Sequence, residues 1–137
     1  MTNLAKSVKW TLSVAVEGAP TITSSEDTQT DAVDVISISV DKGETVTADI
    51  QPGDLDEVKF LYIKLKETDL YGKVKYKFND GTTDSEMELK LDKDHFLTSN
   101  ELIKLFKISP NKIKFTNSDS NTAASLEIVA AREATTP

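Results

Sequence analysis

The only histidine, His95, stands in Asp92-Lys93-Asp94-His95-Phe96. A hydrolytic triad needs a base that is oriented by a carboxylate and aimed at a nucleophile. Asp94 is next in sequence, but neighbours on a strand point to opposite faces, so it is poorly placed to orient the ring. No Gly-x-Ser-x-Gly elbow is present. His95 therefore reads as a rim residue. Carboxylates cluster at Asp54, Asp56 and Glu57, at Glu26, Asp27 and Asp31, and at Asp80 and Asp84. Glycoside hydrolysis needs two of them facing each other across a cleft, and a chain of 137 residues leaves little room for a deep one. Calcium is the metal such loops would suit, yet neither an EF-hand loop nor a nine-residue calcium repeat occurs. The five glycines form no phosphate-binding loop. The absence of cysteine excludes disulfides and thiolate chemistry. No catalytic residue, metal ligand or cofactor is expected, and a non-enzyme is expected.

Charge narrows the partners. Of 39 charged side chains, 23 are acidic, and the net charge is −7. Residues 1–57 carry three lysines against eleven acids, whereas residues 58–115 carry twelve lysines against nine. Those lysines alternate with apolar residues and acids, as on a solvated strand face. Arg132 is the sole arginine, and base reading favours arginine forks. No nucleic-acid partner is expected. Apolar runs are too short to span a bilayer. The N-terminus lacks the continuous apolar stretch of a signal peptide, so synthesis and folding are expected in the cytoplasm of the producing cell.

The elements that would position these residues follow a period of two. Val8, Trp10, Leu12, Val14 and Val16 alternate with mainly polar neighbours and end at Gly18-Ala19-Pro20. Residues 18–32 read as a long polar loop. Val33 to Val40 form a strand whose apolar register shifts between Val35 and Ile36, through a bulge or through cover on both faces. Asp41-Lys42-Gly43-Glu44 turns it into a hairpin with Val46, Ala48 and Ile50. Val58 to Lys66 is the most hydrophobic strand and belongs centrally in a sheet. Val74, Tyr76 and Phe78 lead through Asn79-Asp80-Gly81-Thr82 to Met87, Leu89 and Leu91, setting Lys75 and Lys77 opposite Glu86 and Glu88. Thr98 and Glu101 match a capping box for a short helix near 99–106, and strands follow at Ile113–Phe115 and Leu126–Ala130. The fold class is all-β: a single antiparallel β-sandwich over 1–137, jelly-roll or Ig-like, of about eight strands. A possible N-terminal arm (1–7) and a frayed tail (131–137) flank it.

Several segments from Val58 onward carry a resemblance. They are the strand Val-Lys-Phe-Leu-Tyr-Ile-Lys-Leu-Lys, the hairpin around Asn79-Asp80-Gly81, the stretch from His95 to Phe106, Ile113-Lys-Phe-Thr-Asn117-Ser118, and the small-residue strand Ala123 to Ala131. Over residues 58–131 the layout resembles the small β-sandwich virion structural proteins of tailed bacteriophages that decorate capsids or occupy necks and tails. The resemblance implies a capsid decoration protein on the outer capsid surface. It would bind the major capsid protein or another virion protein and associate with itself, with a trimer favoured. Candidate partner-binding residues are Met1, Thr2, Asn3, Leu4, Ile22, Thr23, Glu26 and Asp27. The alternative is a small carbohydrate-binding or adhesion module, in which Tyr71, in Asp69-Leu70-Tyr71-Gly72, would be the exposed aromatic platform.

Overall fold

A computed structural model describes residues 6–30, 32–50 and 58–133. Among the described residues ten strands form: β1 (Lys6–Val14), β2 (Ile22–Thr30), β3 (Ala32–Val40), β4 (Thr45–Asp49), β5 (Val58–Leu65), β6 (Val74–Asn79), β7 (Leu89–Lys90), β8 (His95–Leu97), β9 (Lys112–Asn117) and β10 (Ala124–Arg132). They build an all-β sandwich. One sheet has the order β3-β10-β5-β8 and the other β4-β9-β6-β7, all pairs antiparallel. β1 and β2 form a separate two-stranded sheet.

The pairing has a simple rule. β3 pairs with β10, β4 with β9, β5 with β8 and β6 with β7. Four strands lead out and four return along them in reverse order. This rolled double ribbon is the jelly roll, so the Ig-like option falls away. β3 and β4 are therefore not a hairpin: the turn at Gly43 (φ +70°) carries the chain from one sheet to the other.

The core lies between the two sheets. β5 contributes Leu61, Ile63 and Leu65, and β10 contributes Leu126 and Ile128. Facing them are Val74, Tyr76 and Phe78 of β6 and Ile113 and Phe115 of β9. All are essentially fully buried, and each such side chain stabilises the fold by roughly 1.5–3 kcal/mol relative to an exposed one. Asn117 is the polar pin of this core. Its Nδ2 donates to the carbonyls of Val40 (3.1 Å) and Thr122 (2.9 Å), and its Oδ1 accepts from the Asp119 N–H (3.0 Å).

Local outcomes depart from the sequence reading in five places. First, residues 22–30 are strand rather than loop: β1 supplies the ladder and the apolar face, so β2 can remain polar. The arm and the tail shrink accordingly, since Lys6 and Ser7 belong to β1, and Ala131 and Arg132 to β10. Second, β3 runs against β10 without a bulge, and Val35 is 70% exposed. The register shift lies instead between Ala131 and Arg132, against β5. Third, the helix α1 spans Asn100–Ile103 and continues as a 3-10 turn over Lys104–Phe106. Pairing with β5 keeps the chain extended through Leu97. The N-cap is therefore Ser99, one residue later than Thr98, and it makes no side-chain cap bond. Fourth, β7 is only two residues long, because Ser85 fills the ladder beside Phe78. Lys75 meets Glu88 (3.4 Å) as expected, but Lys77 meets Asp84 (3.5 Å) rather than Glu86. Fifth, the described residues hold ten strands, β2 and β8 being the additions.

Candidate partner-binding interface

The β1–β2 hairpin runs in register from Lys6↔Thr30 to Val14↔Ile22. Directly opposed residues share a face, and faces alternate along each strand. One face thus carries Val8, Trp10, Leu12 and Val14 of β1 beside Thr28, Glu26, Ser24 and Ile22 of β2. Nine residues per strand make an element about 30 Å long.

Its base is anchored by aromatic rings. β5 points Leu61, Ile63 and Leu65 into the core, so Phe60 and Tyr62 emerge on the outer face of the sheet. β8 adds Phe96 opposite Tyr62. Phe96 is the hub, with Trp10, Phe60 and Tyr62 each meeting it edge-to-face at 5.4 Å. Beyond this anchor the hairpin's apolar stripe continues uncovered. Leu12 is 47% exposed, Val14 43%, Val16 55% and Ile22 68%. Water-exposed apolar residues in a line on one projecting element are unlike the scattered ones normal for a surface.

Among the candidate residues, Ile22 and Thr23 stand at this far end, opposite Val14 and Ser13. Glu26 lies opposite Trp10, and Asp27 opposite Lys9. The sequence reading placed all four in a loop, whereas the structure puts them on β2. Met1, Thr2, Asn3 and Leu4 lie outside the described residues.

Tyr71 is not an exposed platform. It is half-buried against the core, and its hydroxyl donates to Asp94 Oδ1 at 2.9 Å. Asp94 also accepts from the Tyr62 hydroxyl (3.3 Å) and from the Leu65 N–H (3.0 Å). The hydrogen bond to Asp94 raises the Tyr71 pKa. Burial, with the Asp94 charge added, raises that of Tyr62. Asp94 is thus committed to the outer face, and it does not orient His95. The imidazole Nδ1 instead meets the hydroxyl of fully buried Tyr76 at 2.8 Å, and Nε2 lies 3.6 Å from Asp92. Burial pushes the Tyr76 phenol well above its usual pKa, so the hydroxyl beside His95 is a core group.

Asp84, Asp119 and Asp80 are engaged locally. Asp84 accepts from Asn79 (2.7 Å) and bridges Lys114 (2.9 Å) and Lys77 (3.5 Å), which holds its pKa down at about 2. Asp119, on Lys73 (2.8 Å) and the N–H groups of Asn121 and Thr122, is likewise held at about 2. Asp80 accepts from the N–H groups of Thr82 and Thr83 in its own turn, which lowers its pKa. Asp31, Asp54, Asp56 and Glu57 lie outside the described residues. Among the described residues, no group of three or more His, Asp or Glu gathers to hold a metal ion. The lysine-rich stretch is divided: Lys75, Lys77, Lys112 and Lys114 lie on the β4-β9-β6-β7 sheet, paired as above and at Lys112–Asp49 (3.0 Å), whereas Lys59 and Lys64 lie on β5 of the other sheet.

Compared with known proteins, the chain matches no family model, no curated protein and no solved structure. Ile22, Thr23, Glu26 and Asp27 were legible as candidates, but the hairpin that carries them was not, because the polar sequence of β2 hides a strand. One signal could have found it: β5 is apolar on both faces, which demands a cover for Phe60 and Tyr62.

Proposed function

We propose that this protein is a non-enzymatic structural protein of a tailed-bacteriophage virion: a decoration protein that sits on the outer capsid surface as a homotrimer. One observation carries the proposal. The β1–β2 hairpin projects an exposed apolar line, Leu12, Val14, Val16 and Ile22, from an otherwise well-packed jelly roll. Such a line needs a protein cover. The jelly roll is one of the architectures used by viral capsid domains, which is support by analogy of fold. The resemblance of residues 58–131 to phage virion proteins points the same way.

The mechanism is interfacial burial. The hairpin inserts its apolar face at a joint between major capsid subunits, while the body and its acidic charge stay outward. A standard interface buries about 1,600 Å² in total, and multiple contacts by a trimer on a repeating lattice multiply a modest local affinity. The carbohydrate-module alternative loses its platform, since Tyr71 is held by Asp94.

Two measurements test the reading. Sequencing the DNA flanking the gene should find a major capsid, portal or terminase gene beside it. Polysaccharide-degrading or surface-assembly neighbours would sink the proposal. The purified protein should also co-sediment with assembled capsids of the encoding phage and not with unassembled capsid subunits.

A further inference from the structure

The sandwich has four edge strands, and they are protected unequally. β8 has three residues, β7 two and β4 five. β3 has nine. It runs against β10 in unbroken register and contains no proline and no lysine. Sheets usually blunt an edge with a short strand, a bulge, proline or charge. Here three edges are short, and the long one holds a single charged residue, Asp34. Among the described residues, no strand pairs with the free side of β3. The core is thin along this edge as well. Ile36 and Ile38 pack against the core but are only partly buried, whereas their β10 neighbours Ile128 and Leu126 are fully buried. On the outer face Val35 is 70% exposed, and Ser37 and Ser39 are exposed beside it. An added strand would complete the hydrogen-bond ladder and cover both isoleucines.

β3 is complementary to itself. Antiparallel pairing about a two-fold axis through Ser37 sets Ile36 opposite Ile38 of the second copy, Val35 opposite Ser39 and Asp34 opposite Val40. The partly buried isoleucines of the two copies then meet on the core side. No charge faces a like charge, although the whole chain carries −7. Main-chain groups point to alternate sides along a strand, so an axis through a residue completes the ladder whichever set faces outward. We infer that β3 adds to β3 of a second copy and joins two four-stranded sheets into one. A foreign strand would need the same uncharged apolar alternation, which β3 itself supplies. The contact is isologous. Nine residues span about 30 Å, too little to reach the about 1,600 Å² of a standard interface, so the pair is weak in dilute solution. It does not build a trimer: on a capsid it links one trimer to the next, and only that use rests on the virion reading.

The chain has no cysteine, so single introduced cysteines report this contact alone. The full chain carrying Ser37→Cys is incubated with oxidised glutathione, without capsids, and linked dimer is read on a non-reducing gel. Directly opposed residues lie about 5 Å apart at Cα, within disulfide reach. Ser39 and its copy would stand about 14 Å apart, beyond that reach. Ser37→Cys should therefore link at least about tenfold faster than Ser39→Cys. Val35→Cys and Ser39→Cys should link to each other when mixed, and neither to itself. All three positions are exposed, so the variants keep the fold. A rate for Ser37→Cys no greater than for Ser39→Cys, or no link between Val35→Cys and Ser39→Cys, overturns the inference. Linkage without capsid co-sedimentation would remove the virion reading and leave the β3 contact standing. Co-sedimentation without linkage would do the reverse.

Discussion

Removing the ring of Phe96 should release the hairpin while leaving the jelly roll folded. Phe96 meets Trp10, Phe60 and Tyr62 edge-to-face, each at 5.4 Å with interplanar angles of 78°, 88° and 76°. Of the three, only the Trp10 contact joins the hairpin to the body. An edge-to-face pair contributes roughly 0.5–1.5 kcal/mol beyond its area. With the apolar area that Trp10 loses from cover, Phe96→Ala should weaken docking by about 2 kcal/mol. That is a roughly thirtyfold fall in the docking constant. A two-stranded hairpin is marginal by itself, so this contact adds to the approaches of β1 to β3 and of β2 to β5 in holding it down. Global unfolding should cost about 3 kcal/mol less, because Phe60 and Tyr62 also lose a neighbour. The assay is Trp10 emission and acrylamide quenching before any denaturant is added. The variant should emit to the red of wild type and quench more readily, with a cooperative urea transition still present. A variant with unchanged emission and quenching would refute the reasoning, whatever its stability.

Three further outcomes follow from named contacts. Asn117→Ala leaves the Val40 and Thr122 carbonyls and the Asp119 N–H without their partner; urea unfolding should show a loss of about 2–3 kcal/mol. Asp84 and Asp119 have folded pKa values of about 2 against an ordinary 3.8. Their contribution is complete above the unfolded value and is lost as pH falls through the folded one. The urea midpoint should therefore drop between about pH 4 and about pH 2, and less steeply in a chain carrying Asp84→Asn. Finally, Leu12→Asp with Ile22→Asp alters exposed positions, so stability should change by no more than about 0.5 kcal/mol per site, while co-sedimentation with capsids should be lost.

How much of this was legible turns on whether the information is local. β6, β9 and β10 alternate apolar and polar residues and bury the apolar set, as their sequences indicate. β5, the most hydrophobic strand, does lie inside its sheet, between β10 and β8. The jelly-roll pairing was not readable. β3 and β10 meet across more than eighty intervening residues, from Val40 to Ala124, and no local pattern encodes such a partner. β2 was missed because strand formation needs a ladder partner rather than apolar side chains, and β1 provides one. Tyr71 was misjudged because the acceptor that fixes it, Asp94, is 23 residues away. His95 was read as a rim residue before a turn, but it starts β8 and its ring meets the hydroxyl of buried Tyr76, while Asp94 accepts from the Leu65 N–H.

The central claim is that the hairpin's apolar line is buried on an assembled capsid. Cryo-electron microscopy of capsids from the encoding phage, incubated with the full chain, tests it most directly. The account predicts added jelly-roll density on the outer surface, with Leu12, Val14 and Ile22 covered at joints between capsid subunits. Capsids indistinguishable from untreated ones, or bound copies whose hairpins point into solvent, would contradict it.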